Sequence, residues 1–192
     1  MADPDSAETT DLAHRLQFKF VDVRVRWCVG VHELNEPTVK DFVLRTVCES
    51  DIAALQEIAR QAHQDSRFFF DTNFSRTRAE DLFAAWIAKD YAGRADKVFT
   101  LEYGNSRPLG YVTCILNKGS RVGEIGLVGV AADFRRKGAG TTLISSALEW
   151  FQAAGAQKVF VVTQMRNIAA HRLYQASGFR IESVKVWYHR WF

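Results

Sequence analysis

Apolar and polar residues alternate with a period of two over Phe18-Lys-Phe-Val-Asp-Val-Arg-Val-Arg-Trp27, which predicts a half-buried strand. Phe179-Arg-Ile-Glu-Ser-Val-Lys-Val-Trp187 alternates in the same way and predicts a strand near the C-terminus. Phe18, Val23 and Val25 match Phe179, Val184 and Val186 at a constant offset. A reduced remnant of a duplicated unit and chance alternation both account for that match. Residues 1–11 are polar and predict a frayed leader, and Asn35-Glu36-Pro37 marks a turn or linker. Leu44 to Glu49 reads as a short strand. Ser50-Asp51 then caps a helix with Ile52, Leu55, Ile58 and Ala62 on one face.

Arg67 to Phe74 is aromatic and irregular. Thr77-x-x-Glu80 forms a capping box for a helix that buries Leu82, Phe83, Trp86 and Ile87. Lys97–Tyr103, Leu109–Leu116 and Arg121–Val130 predict three antiparallel strands, joined by turns at Gly104–Pro108 and Asn117–Ser120. A helix from about Gly138 to Ala154 carries Leu143, Ile144, Ala147, Leu148 and Phe151 on one stripe, with Gly155 past its end. Val159–Thr163 is a buried strand, and Asn167–Ser177 a helix closed by Gly178. A meander followed by β-α-β implies an α/β domain, with a mixed, mostly antiparallel sheet and helices on both faces. The main domain is expected over 44–192, with 1–43 an N-terminal extension holding one strand.

Composition narrows the class. The chain has 192 residues, 47% of them hydrophobic, enough for one domain of ordinary size. No window approaches the ~18 apolar residues of a spanning helix, so no membrane insertion is expected. The acidic stretch Met1–Glu8 lacks the apolar core of a secretory signal. Cys28, Cys48 and Cys114 are too few and too far apart for a disulfide framework or a metal cage. A cytoplasmic protein without a metal is the expectation. Lys and Arg total 25 against 22 Asp and Glu, and no basic stripe suggests a nucleic-acid partner. A homodimer is left open.

The chemistry concentrates in Val130-Ala-Ala-Asp-Phe-Arg135-Arg136-Lys137-Gly138-Ala139-Gly140, between a predicted strand and a predicted helix. Glycines permit unusual backbone angles and close approach of a ligand. Free N–H groups at a helix start, the helix dipole and three cationic side chains together suit a pyrophosphate. A solvated basic turn is the plainer alternative, and the glycine spacing fits neither a Walker loop nor a Rossmann fingerprint. Asn167 and Tyr174, seven apart, share a helix face about 10 Å apart along the axis. On spacing alone they read as an N-cap and a buried aromatic. His171, one turn from Asn167, is a rival acid or base.

Arg135-x-x-Gly138-x-Gly140, following Glu124-Ile-Gly-Leu-Val-Gly-Val130, resembles motif A of the GNAT acetyltransferases, where the loop cradles the pyrophosphate of acetyl-CoA. Asn167-Ile-Ala-Ala-His-Arg-Leu-Tyr174-Gln-Ala-Ser-Gly178-Phe179 resembles their motif B, Asn-x-x-Ala-x-x-x-Tyr-x-x-x-Gly-Phe. The resemblance covers about residues 44 to 191. It implies the GNAT acyl-CoA N-acyltransferase fold and direct transfer of acetyl from acetyl-CoA to an amine. By the same resemblance, Arg135, Arg136, Lys137, Gly138, Ala139, Gly140 and Asn167 hold the CoA, and the backbone of Val128 and Val130 binds the pantetheine arm and polarises the thioester. Tyr174 becomes the general acid on the leaving thiolate, and Glu124 a base acting through water. A phenol near ~10 can hydrogen-bond or protonate a thiolate whose conjugate acid lies near ~8.5.

Gln64-Asp-Ser-Arg67-Phe68, Ala85-Trp-Ile, Gly110-Tyr-Val and Thr163-Gln-Met are in turn similar to the TDP-fucosamine acetyltransferases. Those enzymes acetylate the 4-amino group of dTDP-4-amino-4,6-dideoxygalactose. That similarity implies a small nucleotide-linked amino sugar as acceptor, with Arg67 on its diphosphate and Phe68 near its base, while Trp86 reads as core. Another primary amine (a polyamine, an antibiotic, a protein N-terminus) and a non-catalytic acyl-CoA sensor are the alternatives.

Overall fold

The alternation over residues 18–27 becomes β1 (Lys19–Gly30), in which Val25, Trp27 and Val29 are buried while Arg24, Arg26 and Cys28 are half-buried. This is the computed structural model of the chain, which describes residues 1–31, 42–104 and 107–192. The expected turn at Asn35-Glu36-Pro37 lies outside the described residues, as do Asn105 and Ser106. The remaining strands are β2 (Val43–Thr46), β3 (Lys97–Glu102), β4 (Gly110–Asn117), β5 (Val122–Val130), β6 (Lys158–Gln164) and β7 (Arg180–His189). They form one sheet in the order β2-β3-β4-β5-β6-β1-β7. Only β5 and β6 run parallel. β1 lies between β6 and β7, antiparallel to both, so Arg24 stands opposite Gln164 on one side and Lys185 on the other. The two matching runs are therefore sheet neighbours, with Val23 opposite Val186 and Val25 opposite Val184.

Helices cover both faces. α2 (Ile52–Ala62) and α4 (Arg76–Lys89) pack Leu55, Ile58, Phe83 and Ile87 against Val98, Tyr111 and Leu127. On the opposite face, α5 (Ala139–Ala153) and α6 (Ile168–Ala176) bury Leu143, Ile144, Phe151 and Tyr174 against Val112, Cys114, Val159 and Val161. A short helix, α3 (Arg67–Phe70), bridges α2 and α4.

Asp51, the expected cap of α2, makes no side-chain cap bond to it and accepts instead from Cys48 N–H and Arg45, and two further elements depart from the pattern. Residues 1–11 do not fray: α1 (Ala7–Arg15) is capped by Ser6, whose Oγ accepts from Thr9 N–H, and carries Glu8 in its first turn and Arg15 in its last, charges that complement the helix dipole. Ahead of it, Ala2 exchanges two backbone hydrogen bonds of 2.8 Å with Val186. The second departure is the start of α4. Its cap is Ser75, whose Oγ accepts from Arg78 N–H, and Glu80 turns instead to Arg76. The helix buries Ala79, Ala84, Phe83 and Ile87, whereas Leu82 is 38% exposed and Trp86 half-buried. Ala84 marks a close approach to α2, its carbonyl accepting from Gln56 Nε2 at 3.2 Å, which a search for large apolar residues overlooks.

Candidate functional site

The site begins as a fault in the sheet. β5 and β6 pair only from Val122/Lys158 to Ile125/Val161. Beyond that point β5 continues with β4 and β6 with β1, and the two strands part. β5 also bulges here: Val128 stands opposite Val112 and Ile125 opposite Cys114, three steps on one strand against two on the other. The extra residue switches the faces, so Ile125 packs in the α5 core and Leu127 in the α2–α4 core. Leu127 N–H donates to the buried Thr113 Oγ1 at 2.9 Å. A Cβ at Gly126 would stand 2.7 Å from that oxygen, so the close approach needs glycine. Bulges of this kind re-aim a strand beside a binding site. Between the parted strands lies a cavity of about 800 Å³.

At the end of β5, a 3-10 turn (Ala132–Phe134) leads into the basic loop and α5. Gly138 precedes the helix at φ 87°, a left-handed angle at which an L side chain is strained. The first N–H groups of α5 have no helical acceptor, and no acidic residue occupies its first turn. Arg136, Gly138 and Gly140 line the cavity. Arg135 also lines it, but its guanidinium donates to the carbonyls of Val130 (3.0 Å) and Gln61 (3.3 Å), tying the loop to the end of α2. Lys137 and Ala139 are not on the cavity wall: Lys137 lies over the Phe134 ring, and Ala139 is buried in the core.

From the other strand, α6 contributes Tyr174 and Asn167, and both line the cavity. Tyr174 is 5% exposed, with its ring against Trp27 and Phe179. Burial pushes its phenol up from the ordinary value, so it carries its proton at neutral pH. Asn167 is the N-cap of α6, its Oδ1 accepting from Ala170 N–H at 3.0 Å, which leaves the amide NH₂ for other partners. His171 is turned away: its Nε2 lies 3.2 and 3.1 Å from the carbonyls of Gln164 and Met165, and its ring packs on Trp27. Glu124, Val128 and Val130 line the cavity from β5.

At the far end, α3 supplies Arg67 and Phe68. The Arg67 guanidinium is held between the rings of Phe68 (4.3 Å) and Trp187 (4.2 Å). Trp86 packs against the α2–α4 core, stacked on Phe83, as expected, and its ring also lines the cavity beneath Arg94. Four lining residues carry no mark in the sequence. Arg24 and Trp187 come from β1 and β7, and Arg94 follows α4. His63, at the end of α2, lies 2.8 Å from the Tyr111 hydroxyl and stacks on Phe83. Burial, then the charge of Arg135, pushes the His63 imidazole down to about 4, which makes it neutral at pH 7. The half-polar pattern around Arg24 is a signal that a strand exists, not of which strand lies beside it.

Residues 54–179 match the Acetyltransferase (GNAT) family. The chain is 29% identical over 181 residues to the dTDP-fucosamine acetyltransferase of Escherichia coli O6:H1, covering 94% of this chain and 75% of that protein. It is 28% identical over 141 residues to the spore coat polysaccharide biosynthesis protein SpsD of Bacillus subtilis, covering 73% of this chain but only 48% of that protein. Among solved structures, a GCN5-related N-acetyltransferase from Sphaerobacter thermophilus superposes with a TM-score of 0.75 at 17% identity, over 97% of this chain and 57% of that one. Among the described residues, no helix is long and apolar enough to cross a membrane, and no three His, Cys, Asp or Glu side chains gather as metal ligands.

Proposed function

Because the chain belongs to the GNAT acetyltransferase family, whose members use acetyl-CoA, we propose that it moves acetyl directly from acetyl-CoA to the primary amine of a nucleotide-linked amino sugar. The amine nitrogen attacks the thioester carbonyl carbon, the C–N bond forms, the C–S bond breaks, and CoA leaves as a thiolate. The Arg135–Gly140 loop and the start of α5 offer N–H groups and positive charge to the CoA pyrophosphate. Arg136 supplies the mobile charge, and Arg135 holds the loop in shape. The backbone of Val128 and Val130, beyond the bulge, serves the pantetheine arm and the carbonyl oxygen. Tyr174, kept protonated by burial, donates its proton to the departing sulfur and is reprotonated by the proton that the attacking nitrogen loses as the amide forms. Glu124, exposed on the cavity wall, takes a proton from the sugar ammonium through water.

The acceptor class rests on one observation: Arg67, half-buried on the cavity wall and sandwiched between two aromatic rings, makes no ion pair or hydrogen bond among the described residues. A desolvated, fixed guanidinium is a site for an anion, and neither spermine nor a free aminoglycoside carries one. The similarity to an acetyltransferase named for dTDP-fucosamine points the same way. The test is thiol release from acetyl-CoA with dTDP-4-amino-4,6-dideoxygalactose, spermine, a peptide and an aminoglycoside as competing acceptors. The sugar nucleotide should have the highest kcat/KM; faster turnover of any of the others removes the sugar-nucleotide reading.

A further inference from the structure

The cationic side chains at the acceptor end divide into two groups. Arg94 is paired with Asp90, Arg166 lies 3.3 Å from Asp22, and Arg26 lies 3.6 Å from Glu182. Arg24 and Arg67 have no such partner among the described residues. Both are half-buried and line the same cavity. Arg67 lies in the field of Arg24 as well as that of Asp22, and burial lowers both guanidiniums from their ordinary value. Asp22 offsets Arg67 only in part: its field acts on Arg67 ahead of that of Arg24, but it is 1% exposed, accepts from Val23 N–H and is shared with Arg166, and burial raises its carboxyl. Glu124 and Glu182 act on Arg24 without forming an ion pair with it, Glu182 being engaged by Arg26, and Asp65 is exposed on the cavity wall. Two cations partly withdrawn from water, within each other's field and without a direct ion pair of their own among the described residues, are costly unless a ligand brings further negative charge.

Their origin adds a second argument. Arg67 lies within the family match at 54–179, whereas Arg24 on β1 and the Trp187 that flanks Arg67 lie outside it. The acceptor wall is thus completed by two strands, side by side in the sheet, that lie outside the family match at 54–179.

We propose that Arg24 and Arg67 form a two-pronged clamp for a diphosphate, with Trp187 as its fixed wall, so that the acceptor is selected for two adjacent phosphates. Two guanidinium forks match two phosphate groups; a carboxylate or a single phosphate satisfies only one. The clamp deepens the sugar-nucleotide reading and rests on it for the identity of the rest of the ligand.

The test is calorimetric titration of dTDP, dTMP and inorganic pyrophosphate into the full chain held at saturating CoA, so that the α5 loop is filled and cannot take the added phosphates. dTDP and pyrophosphate should bind, with dTMP weaker by about 10-fold or more. Arg24→Gln and Arg67→Gln should each weaken dTDP by about 10- to 100-fold, and the lysine variants by less, since they keep charge without the fork. Thermal melting and unchanged CoA affinity establish that each variant is folded. Equal binding of dTMP and dTDP, or dTDP affinity indifferent to Arg24→Gln in folded protein, overturns the clamp. The two readings separate cleanly. Amino-sugar nucleotides turned over with unchanged KM in Arg24→Gln reject the clamp and keep the function. dTDP held by both arginines, with no amino-sugar nucleotide acetylated, keeps the clamp and rejects the function.

Discussion

Tyr174 joins packing to chemistry through a single hydroxyl. Its ring fills the space between Trp27 and Phe179, while the phenol makes no hydrogen bond among the described residues and the side chain lines the cavity. Burial raises the phenol, so ionisation is remote at pH 7, and in the proposed reaction a thiolate leaving beside it would gain a donor that solvent cannot supply from the buried side. Tyr174→Phe removes the donor and keeps the ring. Folding and acetyl-CoA affinity should persist while kcat falls on the order of 10²-fold or more. Steady-state kinetics at saturating acetyl-CoA checks this, and unchanged turnover ends the assignment. Asn167 shows how one side chain can satisfy a plain and a functional reading together: Oδ1 caps α6, and the NH₂ group is left to the cavity.

Gly138 carries the corresponding argument for an element, because it sets the angle at which the basic loop enters α5. An aspartate there adds an L side chain at φ 87° and a negative charge at the start of the helix proposed to receive phosphate. Acetyl-CoA should raise the melting temperature of the wild type by mass action, and Gly138→Asp should abolish that rise; an equal shift in both proteins rejects the loop as the CoA site. This loop and α6 were legible because glycine, cap and apolar stripe fall at fixed spacings within one stretch of chain. The β5 bulge was not, since Gly126-Leu127 reads as ordinary strand until Thr113 is seen opposite it. Nor was the place of β1: the alternation in 18–27 sets which side chains share a face, but only long-range pairing puts Arg24 beside Gln164. At α4, Ser75 and Thr77 are both competent caps, and it is Ser75 whose Oγ accepts from Arg78 N–H.

Across the whole molecule, the proposed acceptor end depends on how the C-terminal segment is fastened to the α3 region. Asp71 ends α3 and is 7% exposed. Burial alone would raise its carboxyl, but His189 Nδ1 (2.6 Å), Asn73 N–H and Nδ2, and Trp191 Nε1 (3.0 Å) hold it at about 2. The contact joins the helix that carries Arg67 to the end of the strand that carries Trp187, so the aromatic wall and the guanidinium it steadies share one anchor. A carboxyl lowered from ~3.9 contributes stability that is complete above about pH 4 and is lost as the pH falls towards 2. Asp71→Ala leaves the indole and amide donors without an acceptor. It should cost about 2 kcal/mol at pH 7, roughly 4–8 °C in melting temperature. The gap between wild type and variant should close between pH 4 and 2, and KM for the sugar nucleotide should rise at neutral pH as Trp187 and Arg67 lose register. Asp71→Asn, which retains an acceptor oxygen but no charge, should fall between the two. Melting curves across that pH range check the anchor directly: a gap that stays constant with pH means the carboxylate charge plays no part in it.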